Sequence, residues 1–394
     1  MEFCNEEVVM ECPALPHEFS NKPRSIKYYV KGPDNGLNGN TGCMLVIHGQ
    51  AEHPNMRYYR TIRNEWANKY NVLAIGVEYL GTKLLSNPSA LNKVQLEKLL
   101  QEVKKHYTIE ELKAAVIDGK FEFTRLPPKA LFDHICIKGD LMDEPLDFGY
   151  IQTIDCLTAL GALLKYARKN RLSYNPRRIY AYGASMGAHI AQMCGKMAPA
   201  TLAVIGDMSG FAFIPRAMIT GGLVRLSIGK VRITVDFGSH YSSSASDENY
   251  YTDDMLELRN IGQHEHLRIA KQRGPERVIL IFQGIDDKIV PAAGKAWVQY
   301  HMLLNGVHSK MYLFHKEDID GDVILNTDHA IGNRQKIFEK FADKYLKEDS
   351  HFMVTTSYPN DFEAKSIINY PTNNGSYLIN YNNKYPEIIF KTKI

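Results

Sequence analysis

Ten residues in the middle of the chain, Arg178 to Gly187, leave little freedom in how it can fold. Ile179-Tyr180-Ala181-Tyr182 is a β-prone run, Ala188 to Met197 is a good helix former, and Gly183-Ala184-Ser185-Met186-Gly187 lies between them. A strand that turns directly into a helix needs small neighbours at the turn, because the backbone is strained there and the helix must pack close to the sheet. The Ser185 hydroxyl is then expected at the carboxyl edge of the sheet, with the helix N-terminus behind it favouring negative charge. The Gly-x-Ser-x-Gly spacing alone arises by chance in roughly one chain in ten of this length, so the other strands must supply the context.

They do so in sequence. Met44-Leu45-Val46-Ile47 reads as a buried strand, Met56 to Tyr70 as a helix with Tyr58, Tyr59, Ile62, Trp66 and Tyr70 apolar or aromatic, and Val72 to Val77 as another buried strand. Strand, helix, strand in that order is a parallel βαβ unit. Earlier, Glu7 to Glu11 could form an edge strand and Ile26 to Lys31 alternates like one. Tyr150 to Lys169 is a long amphipathic helix leading into the Ser185 strand. Leu202 to Gly206 and Val278 to Phe282 are further buried strands, Ala292 to Leu304 a helix, and Lys310 to Phe314 a strand. Ala330 to Leu346 is predicted to be the closing helix. The fold class is therefore α/β, with a doubly wound, mostly parallel sheet.

Two segments break this rhythm. Residues 81–147 carry two charged helical patterns, Val94 to Tyr107 and Ile109 to Ile117, interrupted later by Leu126-Pro127-Pro128. Residues 211–275 read as a second, irregular insertion with a polar loop from Ser239 to Asp254. Each is expected to be a cap or lid beside the Ser185 edge, or else a peripheral decoration. The expected organisation is thus a 1–346 domain with insertions at 81–147 and 211–275, then a β-rich extension at 347–394. That extension is Asn- and Tyr-rich, with a turn signal at Asn373-Asn374-Gly375, and predicts a meander over Ser366–Tyr370, Tyr377–Tyr381 and Glu387–Lys391. It either straps the core or offers an edge to a second subunit, giving a homo-oligomer.

Composition excludes several classes. A net charge of +3 over 394 residues argues for neither nucleic acid nor an anionic membrane. No apolar run is long enough to span a bilayer. The acidic start, Met1 to Glu7, lacks the apolar core of a secretory signal, and the six cysteines show no C-x-x-C spacing. A reducing cytoplasm is the expected location. No Gly-rich stretch has dinucleotide-binding spacing, and no cofactor is expected.

A serine is a poor nucleophile until an imidazole takes its proton, and the imidazole needs a carboxylate to fix its tautomer. In an open α/β sheet such groups gather on loops at the carboxyl ends of the strands. Three strands here are followed by suitable residues, in the order Ser185, Asp287, His329. At this point the chain resembles an α/β-hydrolase of the serine esterase type. The matching features are Gly183 to Gly187, the His48-Gly49 turn, Gly284-x-x-Asp287-x-x-Val290-Pro291, and a His329 ahead of the last helix. The resemblance implies Ser185 as nucleophile, His329 as base, Asp287 as acid, and an oxyanion hole made by the backbone N–H groups of Gln50 and Met186. It also implies hydrolysis of a carboxylic ester through an acyl-enzyme, with acyl transfer or peptide and amide cleavage as close variants. A non-catalytic binding protein on the same fold is the alternative of a different class. The composition and the β tail further resemble a bacterial family of unknown function with an α/β-hydrolase core, linked with surface-glycan or flagellin-glycosylation loci, which implies an acylated sugar or similar small acyl ester as substrate.

Other residues compete for these roles. Asp286 adjoins Asp287, and Asp207 ends the Leu202 strand, where some members of the superfamily carry the acid. His315 lies early for a base; His48 is expected to bond loop backbone, His53 could touch substrate, and His189 sits in the packing of the helix after Ser185. Gln263-His264-Glu265-His266 and the acidic run Glu317 to Asp322 have the look of metal ligands but lack a third ligand and the distal glutamate, respectively, so no metal is expected.

Overall fold

In the computed structural model, the described residues are all except 1–2, 18, 21, 51, 83–92, 118–119, 122–124, 128–135, 139–146, 222, 229–230, 237, 384 and 394. Much of the expected 81–147 insertion, including Pro128, therefore lies outside the described residues. In chain order the strands are β1 (Val8–Ala14), β2 (Arg24–Lys31), β3 (Gly42–Ile47), β4 (Val72–Val77), β5 (Val116–Ile117), β6 (Lys120–Phe121), β7 (Cys136–Lys138), β8 (Ile179–Ala184), β9 (Val204–Met208), β10 (Leu223–Ile228), β11 (Val231–Asp236), β12 (Val278–Gly284), β13 (His308–Phe314), β14 (Ile367–Pro371), β15 (Gly375–Asn380) and β16 (Glu387–Thr392). The helices are α1 (Arg57–Tyr70), α2 (Lys93–Lys104), α3 (Ile109–Ala114), α4 (Tyr150–Lys169), α5 (Met186–Met197), α6 (Arg216–Thr220), α7 (Asp253–Arg259), α8 (His264–Arg273), α9 (Ala292–Leu304), α10 (Arg334–Leu346) and α11 (Asp361–Ala364).

Eight strands form the central sheet, in the order β1-β2-β4-β3-β8-β9-β12-β13. Pairing is antiparallel through β1–β2 and β2–β4, then parallel from β4 to β13. This is the expected α/β-hydrolase architecture. Strands β3, β4 and β8 are buried on both faces, which is why each is an almost unbroken apolar run rather than an alternating one.

Helices cover both faces. On one side α1 turns Tyr59, Ile62, Trp66 and Tyr70 inward, and the Trp66 ring meets Tyr182 of β8 edge-on at 5.0 Å. Helix α10 lies beside it, with Phe338 over β9; a Cβ on Gly206 would come within 2.4 Å of that ring, so only glycine fits beneath it. On the other side lie α4 and α5, and every residue of α5 is buried.

The 347–394 segment explains that burial. Its β14-β15-β16 meander turns Ile368, Tyr370, Tyr377 and Ile379 into the core. Tyr381 Oη donates to the Met197 carbonyl at 3.0 Å and Tyr370 Oη donates to that of Lys196, so two tyrosines satisfy carbonyls at the end of α5. Asp361 accepts from the Ala200 amide (2.8 Å) and the Thr201 hydroxyl (2.9 Å) in the loop that follows.

Three expectations need correction. The closing helix begins at Arg334, not Ala330: Ala330 and Gly332 have φ of +61° and +49°, and Asn333 caps the helix by accepting from the Lys336 amide. The second charged helix ends at Ala114, and Val116–Ile117 instead pairs with Lys120–Phe121. Residues 211–275 are not irregular throughout, although the polar stretch 239–252 carries no helix or strand. They hold the β10–β11 hairpin, whose register sets Ile228 opposite Val231, and β11 pairs in parallel with β7 from the 81–147 segment.

Candidate active site

The site begins with close backbone packing. A Cβ on Gly183 would lie 2.1 Å from the Gly187 carbonyl oxygen, and one on Gly187 would lie 2.3 Å from that of Ile47 and 2.4 Å from that of His48. Both glycines are therefore obligatory: the turn folds back on itself and is pressed onto the end of β3. Ser185 sits at its apex with φ +55° and ψ −122°, a conformation that costs on the order of 1–3 kcal/mol for a residue with a side chain. Its amide donates to the Met208 carbonyl at 2.8 Å, which ties the apex to β9.

The loops after β12 and β13 bring two more groups to this apex. Ser185 Oγ lies 2.8 Å from His329 Nε2, and His329 Nδ1 lies 2.8 Å from Asp287 Oδ2. A carboxylate only accepts, so Nδ1 carries the proton and Nε2 is free to receive one from Ser185. Asp287 is buried; its Oδ1 accepts from the amides of Ile289 (2.9 Å) and Val290 (2.8 Å), and its Oδ2 also from Gln283 Nε2 (3.0 Å). Burial pushes the Asp287 carboxyl up, but hydrogen bonds from His329 and the Val290 amide outweigh it and hold the group below its ordinary value. A fifth of the His329 side chain is exposed, so the Ser185–His329 pair is open to solvent while Asp287 is sealed.

The His329 loop is anchored on both flanks. Thr327 Oγ1 donates to Asp286 Oδ2 at 2.6 Å, and the Asp286 amide donates back to the Thr327 carbonyl. Beyond His329, the Ala330 amide donates to Ser209 Oγ at 3.2 Å. Asp286 thus holds the loop and does not face the imidazole.

The turn after β3 lies against the apex: a Cβ on Gly49 would come within 3.5 Å of Ser185 Cβ. The Gly49 carbonyl accepts from His48 Nδ1 (2.9 Å), the Glu52 amide (3.3 Å) and Tyr79 Oη (3.4 Å). In a trans peptide the following N–H points the opposite way, so the Gln50 N–H is turned away from the His48 ring. Met186 is the first residue of α5, and its N–H has no partner within the helix.

The competing residues are placed elsewhere. His48 is buried and stacks on Tyr79 at 4.2 Å; burial lowers its pKa to about 4, so it is a neutral loop anchor, as expected. His53 Nε2 lies 3.4 Å from Glu78 Oε1, and that contact, with Tyr29, lowers Glu78 to about 2. His189 is wholly buried behind the elbow, its Nδ1 donating to the Phe211 carbonyl at 3.0 Å. Asp207 forms a fully buried ion pair with Lys295 and accepts from Gln192 Nε2 and the Gly210 amide. His315 is exposed. His264 meets Asn305, His266 donates to the Pro371 carbonyl, and Asp320 closes its own turn by accepting from the amides of Asp322, Val323 and Ile324. Among the described residues no three or more His, Cys, Asp or Glu side chains converge as metal ligands would. Sequence reasoning missed Gln283 and Ser209. Gln283 could have been found, as a lone polar residue closing an apolar strand four positions before Asp287.

A family model described as a protein of unknown function (DUF2920) matches residues 137–388, well over half the chain. The chain belongs to the DUF2920 family. The match spans Ser185, Asp287 and His329, whereas Gln50 lies ahead of it. No curated protein matches the chain significantly. Among solved structures it is similar to Est1E from Butyrivibrio proteoclasticus, at 14% identity and a TM-score of 0.42 over 82% of this chain and 93% of that one. It is similar to an arylesterase at 13% identity and 0.43, over 86% and 81%. The acylaminoacyl peptidase of Pyrococcus horikoshii gives 10% identity and 0.49, over 88% of this chain but only 43% of the peptidase. No described helix of this DUF2920 protein is long and apolar enough to cross a membrane.

Proposed function

We propose that this protein is a serine hydrolase acting on a carboxylic ester through an acyl-enzyme. The observation that carries the reading is the unbroken path Ser185 Oγ–His329 Nε2 and His329 Nδ1–Asp287 Oδ2, each step 2.8 Å, starting from a serine held at positive φ. Ser185 Oγ attacks the acyl carbonyl as its proton passes to His329 Nε2. Asp287 stabilises the imidazolium without taking the proton. The N–H groups of Gln50 and Met186 receive the developing oxyanion, where each such donor is typically worth about 3 kcal/mol. His329 then returns the proton to the leaving alcohol, and a water activated by the same imidazole releases the acid. The segments at 81–147 and 211–275 are proposed to select the substrate.

The test is labelling by a fluorophosphonate probe, with wild type, Ser185→Ala and His329→Ala side by side. Labelling that vanishes in Ser185→Ala and falls sharply in His329→Ala supports the reading. A folded wild type that never labels and releases neither nitrophenol from nitrophenyl esters nor acetate from O-acetylated sugars overturns it.

A further inference from the structure

Gly49 is pressed from two sides. A Cβ there would meet the Ala184 carbonyl oxygen at 3.1 Å below and Glu52 Oε2 at 2.8 Å above. The Glu52 carboxylate folds back over the turn, where Oε2 accepts from the Gly49 amide at 2.8 Å and from Tyr59 Oη. Its other oxygen, Oε1, accepts from Arg334 Nη2 at 3.1 Å. Arg334 is the first residue of α10, five positions beyond His329, and its guanidinium lies 4.6 Å from the centre of the Tyr58 ring. A cation at a helix N-terminus opposes the helix dipole, so helix stability does not account for an arginine there. Its contacts with Glu52 and Tyr58 do.

One ion pair therefore joins the turn carrying the Gln50 N–H to the segment carrying His329. The two residues are 282 positions apart in the chain, and the segment of each lies against Ser185. We infer that Glu52 and Arg334 are a positioning pair, holding the oxyanion turn in a fixed place relative to the base loop. Neither touches substrate. This rests on the reading above, in which Gln50 and His329 act on one acyl group: a shift of either relative to the other weakens transition-state contacts more than ground-state binding.

The experiment compares Glu52→Gln, Arg334→Gln, the double variant and Arg334→Lys, all at a temperature where circular dichroism shows each to be folded. On a nitrophenyl ester, kcat is expected to fall about tenfold or more in each single variant with KM within about twofold. The double variant should be no worse than the worse single, and Arg334→Lys should recover part of the loss. Unchanged kcat, or single losses that multiply in the double, would overturn the pair. A second readout needs no activity. Hydrogen exchange should quicken around Gly49 in Arg334→Gln and around His329 in Glu52→Gln, with α4 as the unchanged control. If each substitution loosens only its own segment, the coupling is absent even where fluorophosphonate labelling succeeds. If labelling fails while exchange shows the reciprocal effect, the hydrolase reading has failed and the pairing stands.

Discussion

The ring of His189 is sealed behind the nucleophile turn, and the consequence is a dependence of stability on pH. It is fully buried, donates from Nδ1 to the Phe211 carbonyl, and leaves Nε2 without a partner; burial lowers its pKa from 6.5 to about 4. The unfolded chain therefore takes up a proton at this site near pH 6.5, whereas the folded chain resists until about pH 4. The stabilisation is whole above pH 6.5 and is lost as the pH falls toward 4. Linkage over that interval gives a loss of roughly 2–3 kcal/mol between pH 7.5 and 4.5. Buried carboxyls whose pKa is raised act in the opposite sense; Asp155, pushed up to about 6 by burial, gains stability as the pH falls through the same range. A bare pH profile would mix the two. Urea unfolding of wild type and His189→Gln side by side at pH 7.5, 6.5, 5.5 and 4.5 isolates the histidine. The stability difference between them should shrink by that 2–3 kcal/mol across the series, because the variant has no imidazole to protonate. Parallel profiles would refute the reasoning, since they would mean that His189 titrates alike in both states.

Replacing Asp287 with Asn leaves shape and burial intact but removes the charge that fixes Nδ1–H; kcat should fall on the order of 10³–10⁴-fold with the fold retained by circular dichroism. Gly187→Ala drives a methyl into the carbonyls of Ile47 and His48, so stability should fall by about 1–3 kcal/mol in urea melts and ester turnover should be lost at temperatures where the fold survives. Lys295→Met strands the wholly buried Asp207 carboxylate and should cost about 3–5 kcal/mol, with Lys295→Met/Asp207→Leu recovering much of it.

The parts of the molecule that were legible in the sequence are those with a local cause. Buried parallel strands read as apolar runs because both faces are covered, and Gly183 and Gly187 are dictated by carbonyls a few residues or one strand away. Ser185, Asp287 and His329 could be nominated because each follows a strand, and they do converge. What stayed hidden was set by contacts between distant segments. Nothing near Arg334 announces Glu52, 282 positions earlier. The hairpin strands at 223–228 and 231–236 pair locally, and their alternation on either side of Gly229-Lys230 is a signal the sequence does carry; only the parallel neighbour β7, almost a hundred residues upstream, is set by a distant contact. The start of α10 is not legible at Ala330 because alanine favours helix, while the loop holds Ala330 at positive φ beside His329.

The small sheet made of β7, β10 and β11 has a further implication for anyone recombining members of this family. Its strands are donated by two stretches that leave the main sheet at different points, one after β4 and the other after β9. A chimera that swaps only one stretch would mate β11 with a foreign neighbour or leave its edge bare, inviting aggregation. Because β7 and β11 pair, the proposal that these two stretches select the substrate carries a condition: specificity should transfer between homologues only when both are moved together.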